Sequence, residues 1–142
     1  MTGTQDLRAC MDCLCLASRH AARSITRAFD RQLRPHGIRA TQFTLLVQLE
    51  LRGPTALGVL AEALGMERTT LTRNLALLEA ERWVETRPDK DDARSRVTSI
   101  APRGRTVVAA ALPAWRKAQA AVSAAIGSAG VNALQALTRN VH

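Results

Sequence analysis

Thr55-Ala-Leu-Gly-Val-Leu-Ala-Glu-Ala-Leu-Gly-Met66 runs straight into Glu67-Arg-Thr-Thr-Leu-Thr-Arg73, and this join decides the fold. The first segment predicts a short apolar helix over about 56–63, stopped at Gly65. The second predicts a longer helix over about 67–81. At 100° per residue, Leu71, Leu75 and Leu78 fall within about 60° of one another and form a buried stripe. Thr69, Arg73, Ala76 and Ala80 lie opposite, with Thr70 beside them. Small residues let a backbone come close, and an arginine there can bond both acceptors of a guanine edge. The free N–H groups at the helix start suit a phosphate. A plain amphipathic helix with solvated threonines is the bland alternative, and the flanking segments argue against it.

Downstream the period changes from helical to alternating. Trp83-Val-Glu-Thr-Arg87 and Arg96-Val-Thr-Ser-Ile100 are β-prone, and the loop between them carries Pro88, Asp89, Lys90, Asp91 and Asp92. This predicts a hairpin with a long charged tip. Arg87, Lys90 and Arg103 are candidate phosphate contacts. Asp92 is assigned a structural task, pairing with Arg94 or Arg96 so that one arginine points into a minor groove, where negative potential concentrates. A solvated acidic turn is the competing reading of the three aspartates.

Upstream, residues 8–34 read as one long helix ended by Pro35 and Gly37, with Leu7, Met11, Leu14, Ile25 and Phe29 on one stripe. Thr41 is the expected N-cap of the next helix, with Phe43, Leu46, Val47 and Leu51 turned inward and Gly53-Pro54 closing it. After Pro102 and Gly104 a helix over about 105–125 is expected to kink at Pro113 and to break at Gly127 and Gly130. A short helix over about 131–139 follows. The predicted class is mainly α with a small β-hairpin wing (α+β). It is a winged helix-turn-helix of order α-α-α-α-β-β-α-α, within a single domain over 1–142. Residues 40–103 would bind DNA. Residues 7–37 and 104–142 are apolar, alanine-rich and too numerous to serve one winged domain, so they are assigned to dimerisation.

Composition bounds the partners. The chain has 142 residues, 20 Lys and Arg against 12 Asp and Glu, and a net charge of +8, with Lys90 and Lys117 its two lysines. A basic surface attracts polyanions, nucleic acid first and an anionic membrane surface second. Residues 67–105 hold nine basic and seven acidic side chains, so their net charge is only +2 and the cations must be sorted to one face. Aromatic residues are 3% with no tyrosine, which leaves the core to Leu, Ala and Val. No basic start followed by an apolar run opens the chain, and Val107–Leu112, the longest apolar run, is too short for a bilayer. A cytoplasmic protein without a membrane partner is expected. No phosphate loop, carboxylate pair or nucleophile-base spacing points to an enzyme, and no cofactor is implied. His20, His36 and His142 are read as structural.

Several of these residues carry a resemblance. Gly37-Ile38 with Gln42, Leu60-Ala61, Thr72-Arg73 with Leu78-Glu79, and Asp92-Ala-Arg94-Ser-Arg-Val97 leading to Gly104 resemble the MarR (multiple antibiotic resistance regulator) family of winged-helix transcription factors. The likeness covers residues 7–142. It implies a homodimer built by the terminal helices, a pseudo-palindromic duplex as partner, and a repressor released by a signal such as a small-molecule effector. It assigns DNA contacts to Arg68, Thr69, Thr70, Thr72, Arg73, Arg87, Lys90, Arg94 and Arg96. The chain departs from the family pattern at Arg82, where glycine is usual, at Ala93, commonly basic, and at Ile100-Ala101-Pro102. A basic winged module that binds proteins, and a thiol-dependent enzyme, are the rival classes.

Cys10, Cys13 and Cys15 crowd the start of the first helix, an odd number in a pattern unlike a disulfide framework. Three readings stand side by side. The cysteines are small hydrophobes buried in a dimer interface, or a redox switch, or a soft-metal site for copper(I), zinc or arsenic(III). The resemblance to organic-hydroperoxide sensors within the family places a reactive thiol at Cys15. Phe29 and Arg19 stand where those sensors carry tyrosines, and Arg19 would set a cation one turn from the sulfur. On a straight helix Cys13 and Cys15 are about 160° apart, so one helix cannot direct all three sulfurs at one ion, and no metal site is firmly predicted.

Overall fold

The computed structural model describes residues 3–140, so that His142 lies outside the described residues. Its elements are α1 (Thr4–Arg8), a 3-10 turn (Ala9–Asp12), α2 (Leu14–Leu33), a second 3-10 turn (Arg34–His36), α3 (Ala40–Arg52), β1 (Thr55–Ala56), α4 (Leu57–Leu64), α5 (Arg68–Ala80), β2 (Val84–Pro88), β3 (Arg96–Ile100) and α6 (Pro102–Asn140). Helix predominates and the sheet is small and antiparallel, as the sequence predicts.

Three boundaries differ from expectation, one of them only in part. The first helix is broken at Cys13, whose extended backbone (ψ 120°) separates the 3-10 turn from α2. The last two helices part at Gly127 (φ 71°, ψ 173°), as expected, while Pro113 and Gly130 keep helical dihedrals. Helix α3 is capped by Arg39, not Thr41. The Arg39 N–H donates to Gln42 Oε1 at 2.9 Å, and the Ala40 N–H donates to Asp30 Oδ1 at 2.7 Å, tying the start of α3 to α2. Those bonds satisfy helix-end donors that Thr41, inside the first turn, no longer needs to cap.

The core lies where α3, α4, α5 and the sheet meet. Leu33, Leu45, Leu46, Leu49, Leu60, Leu71 and Leu78 have no exposed surface. Leu45 and Leu49 thus point inward, whereas Leu51, expected inside, is 79% exposed. Trp115 of α6 stacks on Phe43 of α3 (centroids 6.1 Å, 17° between planes) and lies 6.3 Å from Phe29 of α2. One aromatic cluster therefore joins the long terminal helices to α3.

The sheet order is β1-β3-β2. Thr55 pairs with Thr98 and Ala56 with Val97, a two-residue ladder absent from the expected order, while β2 and β3 pair from Val84↔Ile100 to Pro88↔Arg96. The central strand thereby holds both the entry to the helix pair and the wing. Gly104 closes the sheet's base. It is buried, and a Cβ there would overlap the Trp83 carbonyl oxygen and press on Ile100.

Candidate nucleic-acid interface

Gly65 adopts the left-handed conformation (φ 60°) that ends α4. Its N–H donates to the Glu62 carbonyl at 3.1 Å and the next N–H, of Met66, to the Ala61 carbonyl at 2.9 Å. This glycine-dependent stop turns the chain sharply into α5. The three leucines of the predicted stripe are the ones that α5 buries: Leu71, Leu75 and Leu78, at most 7% exposed. Phase then dictates the rest. Thr69, Thr70, Thr72 and Arg73 are all exposed, on the side away from the core.

Two of the expected DNA contacts have local partners. Thr72 Oγ1 donates to the Arg68 carbonyl at 2.8 Å, which fixes its rotamer. Arg68 folds back over α4, so that a Cβ on Gly58 would stand 2.6 Å from its Nη2. Arg68 therefore shares a cavity of about 650 Å³ with the wing, lined by Gly58, Glu62, Arg94 and Arg96 among others.

The wing corrects one expectation. Asp92 makes no ion pair with Arg94 or Arg96; the ion pairs among the described residues are Arg87–Glu85 and Arg105–Glu50, each at 2.8 Å. Instead Asp92 Oδ1 accepts the backbone N–H of Arg94 at 3.0 Å, and its carbonyl accepts the Ser95 N–H at 2.9 Å. A short carboxylate bonds the backbone two residues on in this way at many turns. Asp92 thus shapes the tip, and Arg94 and Arg96 stay exposed. Arg87 is held by Glu85, and Lys90 is exposed at the tip.

A polar relay that local sequence does not reveal joins wing to helix. Thr86 and Thr98 face each other across the ladder with Oγ1 atoms 3.1 Å apart, and the Thr86 hydroxyl donates to Glu79 near the end of α5. Thr98 is only 3% exposed, so this hydroxyl depends on its partner. Alternation in the two strands could have placed Thr86 and Thr98 together, but the reach to Glu79 needs the tertiary fold.

The cysteines lie elsewhere. Cys10, Cys13 and Cys15 are free and exposed within the subunit. Among the described residues no three of His, Cys, Asp and Glu gather where they could hold one metal ion.

A leucine-backed helix presented by a glycine turn, beside a hairpin that carries exposed arginines, defines a winged helix-turn-helix, the architecture of DNA-binding transcriptional regulators. Comparison with known proteins agrees. Residues 36–95 match the family model described as MarR family. The solved M. tuberculosis transcriptional regulator MosR, in complex with DNA, is 39% identical over 82% of this chain and 84% of its own, with a TM-score of 0.75. The uncharacterized HTH-type regulator YwoH of Bacillus subtilis (strain 168) is 32% identical over 71 residues, 50% of this chain and about half (52%) of that protein's length. A mutant MarR from E. coli complexed with operator DNA, at 20% identity, shares the fold with a TM-score of 0.80 over 92% of this chain and 94% of its own. The chain belongs to the MarR family of transcriptional regulators.

Proposed function

We propose that the protein is a homodimeric, sequence-specific duplex-DNA binder of the cytoplasm, a repressor released by a signal. The observation that carries this is the outer face of α5. Thr69, Thr70 and Arg73 stand exposed opposite a buried leucine stripe, next to exposed Arg94 and Arg96. Arg73 is the base reader in this scheme, because its guanidinium can bond guanine O6 and N7 together. Lys90, Arg94 and Arg96 are wing contacts to phosphates or the minor groove. Arg68, drawn toward Gly58, is a phosphate contact shared between helix pair and wing. That relatives of this fold have been solved on DNA supports the same reading.

Dimerisation is supported by what the single subunit leaves bare. Leu7, Met11 and Leu14 are 58%, 73% and 84% exposed, and Leu134 and Leu137 are 37% and 49% exposed at the far end of α6. Apolar surface of this extent on terminal helices calls for cover. An 18-residue window of α6 has a mean hydropathy of 1.3 with none of it buried, enough by length and composition to cross a bilayer. A second subunit covers it equally well, and the Gly127 break and the packing of Trp115 on α3 favour that cover. Two readers on a two-fold axis would then meet half-sites about one helical turn apart.

The test combines a duplex titration over a range of salt with sedimentation in detergent-free buffer. A two-subunit particle whose log affinity falls steeply with log salt, roughly 0.9 per phosphate contacted, is expected. A flat salt dependence would favour the protein-binding module, and a lone subunit would end the dimer.

The signal has a second, thiol-based reading that one observation favours. The three cysteines are exposed around the extended link at Cys13, so oxidation there reaches the joint between α1 and α2 directly. A soft-metal site would need a further donor from the second subunit.

A further inference from the structure

We propose that Leu77 is a specificity-determining residue, reading the C5-methyl group of a thymine beside the base met by Arg73. The inference rests on the DNA-binding reading above. Leu77 is 59% exposed on α5, whereas Leu71, Leu75 and Leu78 are buried. Its place on the helix sets it apart from other bare leucines. Thr70, Arg73 and Leu77 follow one another at i, i+3 and i+7, a single ridge on the outer face. The neighbouring ridge is engaged elsewhere: Thr72, Ala76 and Glu79 line a cavity of about 230 Å³ toward the wing, together with Thr86, Arg96 and Thr98. Leu77 therefore lies on the shoulder turned away from the wing.

A leucine on a groove-facing ridge gains nothing from phosphates or from base acceptors. The major groove offers one apolar group, the thymine methyl. Four residues of helix advance about 6 Å, and successive bases rise about 3.4 Å. The thymine thus lies within two base pairs of the base that Arg73 contacts. Ala76 and Ala80, small and next to this ridge, leave the leucine room to reach.

The experiment selects preferred duplexes from a random-sequence pool at fixed salt. Each thymine is then replaced singly by deoxyuridine, which lacks only the methyl, and affinities are measured for wild type, Leu77→Ala and Leu77→Met. One thymine per half-site should weaken wild type by about fourfold when replaced, the effect of leaving one methyl without apolar contact. Leu77→Ala should be indifferent to that replacement, and Leu77→Met should keep the dependence. Equal responses in wild type and Leu77→Ala, or a preferred half-site without such a thymine, would overturn the role of Leu77 while leaving DNA binding intact. Failure to enrich any duplex would overturn the DNA-binding reading and this inference with it. Thermal melts of the variants, expected unchanged at so exposed a site, separate reading from folding.

Discussion

Gly104 rests against the carbonyl oxygen of Trp83 so closely that no side chain fits between them. The same oxygen accepts the Ala101 N–H at 2.8 Å, so the start of α6 is pinned to the base of the sheet by backbone alone. Gly104→Ala should therefore cost about 1–3 kcal/mol, since neither backbone can step aside without breaking that bond. Gly58 offers the contrast. What crowds its missing Cβ is the flexible end of Arg68. Gly58→Ala should leave stability unchanged or raise it slightly, by helix propensity. Urea melts of the two variants side by side check both statements.

Arg82 has φ 58°, a left-handed conformation that costs a side-chain-bearing residue about 1–2 kcal/mol. Arg82→Gly should stabilise the protein by about 1 kcal/mol, less the flexibility glycine adds to the unfolded chain. The change also removes a cation, so its effect on duplex affinity is to be read apart from the rise in midpoint. A lowered midpoint would show that the Arg82 side chain contributes more than its backbone costs.

Arg73→Ala should weaken binding to a preferred duplex by about 1–3 kcal/mol and flatten the discrimination among bases at one position of each half-site. Lys90→Ala should weaken all duplexes alike and lower the salt slope by about 1. Competition against mixed-sequence duplex distinguishes the two patterns. Equal loss on specific and mixed DNA for Arg73→Ala would remove it as a base reader.

Thr86→Val should cost about 1–2 kcal/mol, because it leaves the buried Thr98 hydroxyl without its partner while preserving shape. It also unties the wing from Glu79. Glu79→Ala, Thr86→Val and the double variant form a cycle in which the double loss of duplex affinity should be well short of the sum. Additive losses would mean that the two residues act separately.

Oxidant should lower duplex affinity in wild type and less so in Cys15→Ser, if the thiol-based reading holds. The comparison is a duplex titration before and after peroxide and again after a thiol reductant, with a thiophilic metal as a separate arm. Unchanged affinity throughout would leave the cysteines without a sensing role.

The helix-turn-helix is legible because its signals are local and redundant. Leu71, Leu75 and Leu78 repeat at helical spacing, and Gly65 stands where a left-handed stop is needed. The exposure of Thr69, Thr70 and Arg73 follows from that phase with no further information. Much of what escapes a reading of the sequence has non-local causes. Thr55–Ala56 is too short to show alternation and becomes a strand only because β3 lies beside it. Leu51 and Leu49 both suit an apolar helix; which one is buried depends on how α3 meets its neighbours. Charge pairs Asp92 with a guanidinium, yet the nearer backbone N–H of Arg94 offers a bond with less side-chain entropy to lose. The break at Cys13 follows no Pro or Gly, and the structure supplies no physical cause for it.

Because β3 is laced on one flank to the entry of the helix pair and on the other to the hairpin, neither part can tilt without the other. Each reading head then behaves as a solid key. In the proposed dimer, a releasing signal would find no soft joint to bend inside either key, and would act by changing how far apart the two are held along the duplex.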